Sequence, residues 1–67
     1  MNFNVEVDRE DDGRWIAEVE ELPGVLVYGE SAKQAQAKAQ ALALRVLADR
    51  LENGEESPFE SVSFAAA

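Results

Sequence analysis

The sequence contains no cysteine and no histidine. Without thiols the chain has no disulfide framework and no thiol nucleophile, and without imidazole it lacks the usual zinc ligands and the commonest general base. No apolar run approaches the ~18 residues of a membrane span, and the first residues lack the basic and apolar segments of a signal peptide. We therefore expect a cytoplasmic protein with no cofactor, no metal site and no membrane contact.

Basic residues are also scarce, with six against fourteen acids and a formal net charge of −8. This balance argues against direct binding to the phosphates of nucleic acid, and it means that a partner held by charge should itself be basic. The apolar content of 46% is that of a folded domain. A chain of 67 residues is long enough for one small domain, so we expect residues 1–67 to form a single domain with no appended DNA-binding domain.

The first part of the chain has the pattern of a β-hairpin. Residues 2–8 alternate strictly between apolar and polar side chains, which is typical of a half-buried strand. Asp12 and Gly13 form an Asp-Gly pair, which favours a hairpin turn. Residues 14–20 alternate again and predict the returning strand.

Turn and cap signals then divide the rest of the chain. Leu-Pro-Gly at 22–24 predicts a type II turn, and the apolar run 25–28 predicts a strand that is covered on both faces or lies at an interface. Ser31 is a good N-cap for a helix over 32–53, and Gly54 is its natural stop.

A short last strand is indicated by the alternation of Val62 and Phe64 with serines. The predicted order is therefore strand, strand, strand, helix, strand. This is an α+β fold in which one long helix packs on one face of an antiparallel-rich sheet.

The predicted helix carries two apolar stripes. At about 100° per residue, the stripe expected to face the sheet comprises Ala35, Ala39, Leu42 and Val46. A second stripe lies almost opposite and comprises Ala37, Ala41, Leu44, Ala48 and Leu51, with Leu47 beside it. Contiguous exposed apolar area usually marks an interaction surface. We therefore expect a homo-oligomer, a dimer or higher, with an interface formed by Leu44, Leu47, Leu51, Ala37, Ala41, Ala48, Val25 and Val27.

Acidic residues of the hairpin are the candidates for metal or acid–base chemistry. Residues 8–13 resemble the start of a calcium-binding loop, but Val19 stands where such a loop needs a bidentate glutamate. A solvated hairpin tip is the better interpretation. Asp8, Glu18 and Glu20 could converge, as paired carboxylates do in acid–base or metal sites, but the alternation predicts that they face water. We expect no catalytic residues.

Several short motifs follow one another in a familiar order. They occupy residues 11–19, with Asp-Asp-Gly-Arg-Trp-Ile-Ala-Glu-Val, then 21–25, with Glu-Leu-Pro-Gly-Val, then 28–31, with Tyr-Gly-Glu-Ser, and finally Ala35. Their combination resembles the HicB-like antitoxin family over nearly the whole chain. The resemblance implies a β-β-β-α-β domain, similar to a partial ribonuclease H fold that has lost its catalytic carboxylates.

The same resemblance implies an antitoxin that neutralises a small, basic, HicA-like toxin, which is an mRNA-cleaving ribonuclease. An acidic surface suits such a partner, and the candidate toxin-binding residues are Asp8, Glu10, Asp11, Asp12, Glu18, Glu20 and Glu21. Two alternatives stay open. One is a degenerate ribonuclease H-like domain with residual metal-dependent activity on nucleic acid, and the other is an orphan oligomeric module without a toxin.

Overall fold

The computed structural model describes residues 1–66, which form four strands and one helix. In chain order these are β1 (Asn2–Arg9), β2 (Trp15–Val19), β3 (Leu26–Gly29), α1 (Ala32–Glu52) and β4 (Ser63–Ala66). The strands form one sheet in the order β3-β2-β1-β4. β1 pairs antiparallel with β2, and β2 pairs antiparallel with β3, whereas β4 runs parallel to β1. The predicted α+β class and element order are confirmed.

Both predicted turns form through local hydrogen bonds. In the β1–β2 hairpin, the Glu10 N–H donates to the Arg14 carbonyl over 2.7 Å. After β2, the Val25 N–H donates to the Leu22 carbonyl over 3.1 Å, and Gly24 between them has a φ of 90°. A glycine with positive φ at this position, preceded by proline, is the signature of a type II turn.

The helix begins and ends where its sequence signals predict. The Ser31 side chain accepts a hydrogen bond from the Gln34 N–H over 3.0 Å at the N-terminus. At the C-terminus Gly54 has a φ of 73°, and the Glu55 N–H donates to the Arg50 carbonyl over 2.8 Å, as in a Schellman motif. No helix in residues 1–66 combines the length and the apolar character needed to cross a membrane.

The buried core lies between α1 and one face of the sheet. The strands and the loop between β2 and β3 contribute Phe3, Val5, Ala17, Val19, Leu22 and Val25. The helix contributes three alanines and one leucine, namely Ala35, Ala39, Ala43 and Leu47. At the far edge Phe64 of β4 stacks on Phe3, with 5.8 Å between the ring centroids. The core is therefore built from small side chains on the helix and larger ones on the strands.

Two residues predicted at an oligomer interface belong instead to this core. Leu47 is 2% exposed and Val25 is 1% exposed, so neither lies on a free surface. Val27 is half-buried and packs against the core from β3. The predicted sheet-facing stripe is correct at its first two alanines, whereas Leu42 and Val46 lie at its margin and are only partly buried.

Leu47 is buried because of the spacing of the helical residues that face the sheet. They follow one another at intervals of four, and each such step turns about 40° around an α-helix. The buried stripe therefore drifts around α1 and follows the right-handed twist of the sheet. This drift brings Leu47 under the helix and leaves Leu44 and Leu51 outside, 47% and 38% exposed. Ala37, Ala41 and Ala48 of the outer stripe are exposed with them.

Gly29, at the end of β3, lies close against the backbone of α1. A β-carbon on this residue would lie 2.6 Å from the Ala35 nitrogen and 2.8 Å from its Cα. We expect Gly29→Ala to lower the free energy of unfolding by about 2–3 kcal/mol, because backbone and not a flexible side chain must move. Chemical denaturation measures this loss.

Gly54→Ala is the matched control, since nothing lies within 4 Å of a β-carbon there although φ is 73°. It should cost only about 1 kcal/mol, for the left-handed backbone. A Gly54→Ala loss equal to or larger than that of Gly29→Ala would contradict the close contact.

Candidate functional site

The face of the sheet that points away from α1 is the candidate site. Side chains alternate across a strand, so this open face carries the residues between those of the core. They are Asn4, Glu6 and Asp8 from β1, Ile16 and Glu18 from β2, and Leu26 and Tyr28 from β3. The register aligns Glu6 with Glu18 and Leu26 in one row, and Asp8 with Ile16 and Tyr28 in the next.

Three carboxylates form an acid cluster at the centre of this face. Glu6, Glu18 and Glu20 each contribute an oxygen, and these oxygens lie within 4.8 Å of one another. Like charges opposite one another on a sheet are destabilising. A hydrogen bond with Glu20 and the repulsion of its charge raise the pKa of Glu6 above its ordinary value of 4.5, and smaller effects of burial, Glu18 and Asp8 act in the same direction.

The chemistry of the acid cluster follows from its solvent exposure. Within residues 1–66 no polar or charged side chain is buried, so no group there is held in the dry environment that tunes a general acid or base. Carboxylate oxygens at this spacing are suited to the ammonium or guanidinium group of a partner, or to a hard divalent cation. Glu6, Glu18 and Glu20 are the residues that could hold either one.

An apolar strip borders the acid cluster on the β3 side. It consists of Ile16, Leu26 and Tyr28, of which Leu26 and Tyr28 are 45% and 42% exposed. The guanidinium group of Arg14 lies over the Tyr28 ring, 4.4 Å from its centroid. The open face thus places a group of negative charges beside an aromatic and aliphatic strip.

Two of the predicted toxin-binding residues already have partners within the domain. The Asp12 carboxylate accepts from the backbone N–H of Arg14 over 3.0 Å and from the Arg14 Nε over 2.7 Å. These bonds lower the pKa of Asp12 below its ordinary value of 3.8, and the backbone bond has the larger effect. Glu21 accepts from the Asn4 N–H over 3.2 Å and from its side-chain amide over 3.3 Å. Since β2 ends at Val19, Glu21 supplies the acceptor that the ladder no longer provides.

The remaining predicted residues divide between two places. Glu18 and Glu20 lie in the acid cluster with Asp8 beside it, whereas Glu10 and Asp11 lie at the hairpin turn, beyond the end of β1. The prediction omitted Glu6, although this residue is the centre of the cluster. The alternation of β1 places Glu6 on the same face as Asp8, and pairing with the returning strand would have placed it opposite Glu18.

The raised pKa of Glu6 predicts how stability depends on pH. The folded protein holds this proton more tightly than the unfolded chain, so the free energy of unfolding should fall as pH rises from 4.5 through the raised pKa. We expect Glu6→Gln to remove this fall and to raise the melting temperature at pH 7, because the amide donates a hydrogen bond without carrying charge. Thermal melts at pH 5 and pH 7 measure both effects.

Glu60→Gln removes one charge from an exposed loop position outside the cluster and serves as the control. It should leave the difference between the two melting temperatures unchanged. The explanation fails if both variants stabilise the protein equally at pH 7.

Compared with known proteins, the chain matches no family model, no curated protein and no solved structure.

Proposed function

We propose that the protein is a non-catalytic binding protein that holds a basic protein partner on the open face of its sheet. The partner we propose is a small, basic, HicA-like toxin that cleaves mRNA, as the resemblance to HicB-like antitoxins implies. The observation that supports this proposal is the acid cluster of Glu6, Glu18 and Glu20 on a sheet face that no other element of residues 1–66 covers.

A basic partner removes an electrostatic cost that the isolated domain carries. In the free protein Glu6 and Glu20 repel one another, and a proton shared between them is one way to relieve the repulsion. A lysine or arginine side chain placed between the carboxylates relieves it without a proton and forms charge-assisted hydrogen bonds. Binding and neutralisation of the cluster are then the same event.

The apolar strip gives such an interface a region from which water is excluded. Binding energy is concentrated in buried aromatic and aliphatic anchors, and surrounding charges mainly set the association rate and the choice of partner. Tyr28 and Leu26 are the anchors, and the acid cluster beside them selects for positive charge. Occupying the basic surface that a ribonuclease needs for RNA would also inhibit it.

The same charges disfavour other occupants of the open face. Phosphate groups of DNA or RNA would be repelled, and a second copy docked face to face would bring two acid clusters together. We therefore propose that the isolated protein does not bind duplex DNA through this face.

A metal-dependent nuclease is the second candidate, favoured by the spacing of the three carboxylates. Two-metal and one-metal nucleases use such oxygen ligands to activate water and to bind phosphate. A nuclease assay with Mg²⁺ and Mn²⁺ separates the two functions. We expect no cleavage of RNA, and metal-dependent cleavage that Glu18→Gln abolishes would favour the nuclease instead.

The position of the charges, and not only their number, should control association. We expect the triple variant Glu6→Gln, Glu18→Gln, Glu20→Gln to bind the toxin at least tenfold more slowly at low salt and to lose most of the salt dependence of the rate. The probe is the small basic protein encoded in the reading frame beside this one, and stopped-flow or surface-based kinetics measure the rate.

The triple variant Glu52→Gln, Glu55→Gln, Glu60→Gln has the same net charge and is the matched control, because all three residues are exposed and lie outside the open face. It should associate at close to the wild-type rate. Equal slowing by both variants would mean that only net charge matters, and the lack of a neighbouring frame for a basic protein would contradict the antitoxin role itself.

A further inference from the structure

The outer edge of β3 is a second surface, and no other strand of residues 1–66 pairs with it. β3 is an outer strand of the sheet and pairs on one side only, with β2. The Val25 carbonyl accepts from the Val19 N–H over 3.0 Å, so Val25 directs its backbone groups toward β2. In an antiparallel ladder this direction alternates from residue to residue. Leu26 and Tyr28 therefore direct their N–H and carbonyl groups away from β2. The Lys38 amino group donates to the Tyr28 carbonyl oxygen over 3.4 Å, which agrees with this direction.

The same two residues carry the exposed apolar side chains of the open face. Leu26 and Tyr28 are both more than 40% exposed, and Ile16 lies next to Tyr28 on β2. An open groove of about 250 Å³ lies beside this edge, and Arg14, Tyr28, Gln34 and Lys38 contribute to its walls. In residues 1–66 no other strand pairs with the outward N–H and carbonyl of Leu26 or with the outward N–H of Tyr28. These groups coincide with apolar side chains along one strand, which is the situation in which strands add to a sheet edge.

We infer that a second copy of this chain occupies the edge, with its β3 antiparallel to the first about a twofold axis at Val27. In this register Leu26 of each copy lies opposite Tyr28 of the other. Both outward-pointing residues of each copy then exchange backbone hydrogen bonds with the other copy, and the Leu26 N–H of the second copy replaces the exposed Lys38 amino group as donor to the Tyr28 carbonyl. A twofold contact of this kind is closed, so it produces a dimer and not a fibre.

The pattern of side chains across the axis is self-complementary. The two apolar strips meet at the axis and become one continuous strip, and the acid clusters lie to either side of it. Each row runs from Tyr28 of one copy to Leu26 and then to Glu18 of the other. The guanidinium group of Arg14 is bonded to Asp12 and lies over Tyr28, so it places positive charge at the strand edge that adjoins the acidic half of the second copy.

The competing surface for a dimer is the outer stripe of α1. Because Leu47 is buried, the large side chains of this outer stripe are Leu44 and Leu51. They lie about 10 Å apart along the helix axis. That stripe has no unpaired backbone groups, since the helix satisfies its own. The edge of β3 offers both hydrogen bonds and apolar area, so the second copy binds there.

The dimer shares Leu26 and Tyr28 with the proposed toxin-binding surface, but it does not use the acid cluster. Both acid clusters remain on the same side of the continuous sheet and stay open to a basic partner. The two inferences are therefore tested with residues that they do not share. The variant Glu6→Gln, Glu18→Gln, Glu20→Gln tests toxin binding, and Val27→Cys tests the dimer without changing Leu26, Tyr28 or the acid cluster.

A single introduced cysteine tests the register directly, because the chain contains no other. In the inferred dimer the two Val27 Cα atoms are about 4.5 Å apart, within the range that a disulfide bridges. We expect oxidised Val27→Cys to run as a covalent dimer on a non-reducing gel, and Ala37→Cys, on the outer stripe of α1, to remain a monomer there. The reverse result, or no covalent dimer from either variant, overturns the inference.

Sedimentation velocity at micromolar concentration tests the assembly without a cross-link. The wild-type chain should sediment at twice its monomer mass. Tyr28→Pro should sediment as a folded monomer, because the Tyr28 N–H is directed away from β2 and proline is tolerated at such edge positions. Leu26→Lys is a second variant with the same expected loss of the dimer should Tyr28→Pro not fold. A wild-type monomer, or a dimer that Leu44→Lys dissociates and Leu26→Lys does not, overturns the inference.

Discussion

Alanine side chains bring α1 against the sheet so closely that no β-carbon fits on Gly29. Ala35, Ala39 and Ala43 are fully buried in this contact, and because they are small the helix adds little apolar area for each residue it orders. The result is a thin core with one helix on one face of the sheet. Residues 1–66 include no further element to cover the other face, so the acid cluster and the apolar strip are exposed as a consequence of the same packing.

The open face shows a local conflict that the fold tolerates. Glu6 and Glu18 face one another across two central strands, where apolar or oppositely charged pairs would stabilise the sheet. Such departures from local consistency tend to occur where a surface serves another molecule. Charge is also divided unevenly between the helix and the rest of the chain. α1 holds four bases and two acids, whereas the remainder of the chain holds two bases and twelve acids. The two layers therefore differ in sign, and a basic molecule is attracted to the sheet and not to the helix.

How much of this could be predicted from the sequence depends on whether the signal is local. Ser31 and Gly54 each act through hydrogen bonds to residues a few positions away, so the ends of the helix were predictable. The position of Leu47 was not, because it depends on how the helix drifts over a twisted sheet. Val25 lies in a run that is apolar on both faces, so its pattern does not indicate which face is buried. Glu6 was missed because its neighbours in the cluster come from another strand, and such pairings are visible only once the register is known.

The first and last strands lie side by side in the sheet. β4 pairs with β1, and the Met1 amino group donates to the Ser61 carbonyl over 3.0 Å, a contact between residues 60 positions apart. During synthesis the hairpin of β1 and β2 can form early, but Phe3 has no ring to stack on until Phe64 has left the ribosome. Completion of the sheet therefore waits until β4 is available, and until then the β1 edge of the nascent chain is open to pairing with whatever strand it meets.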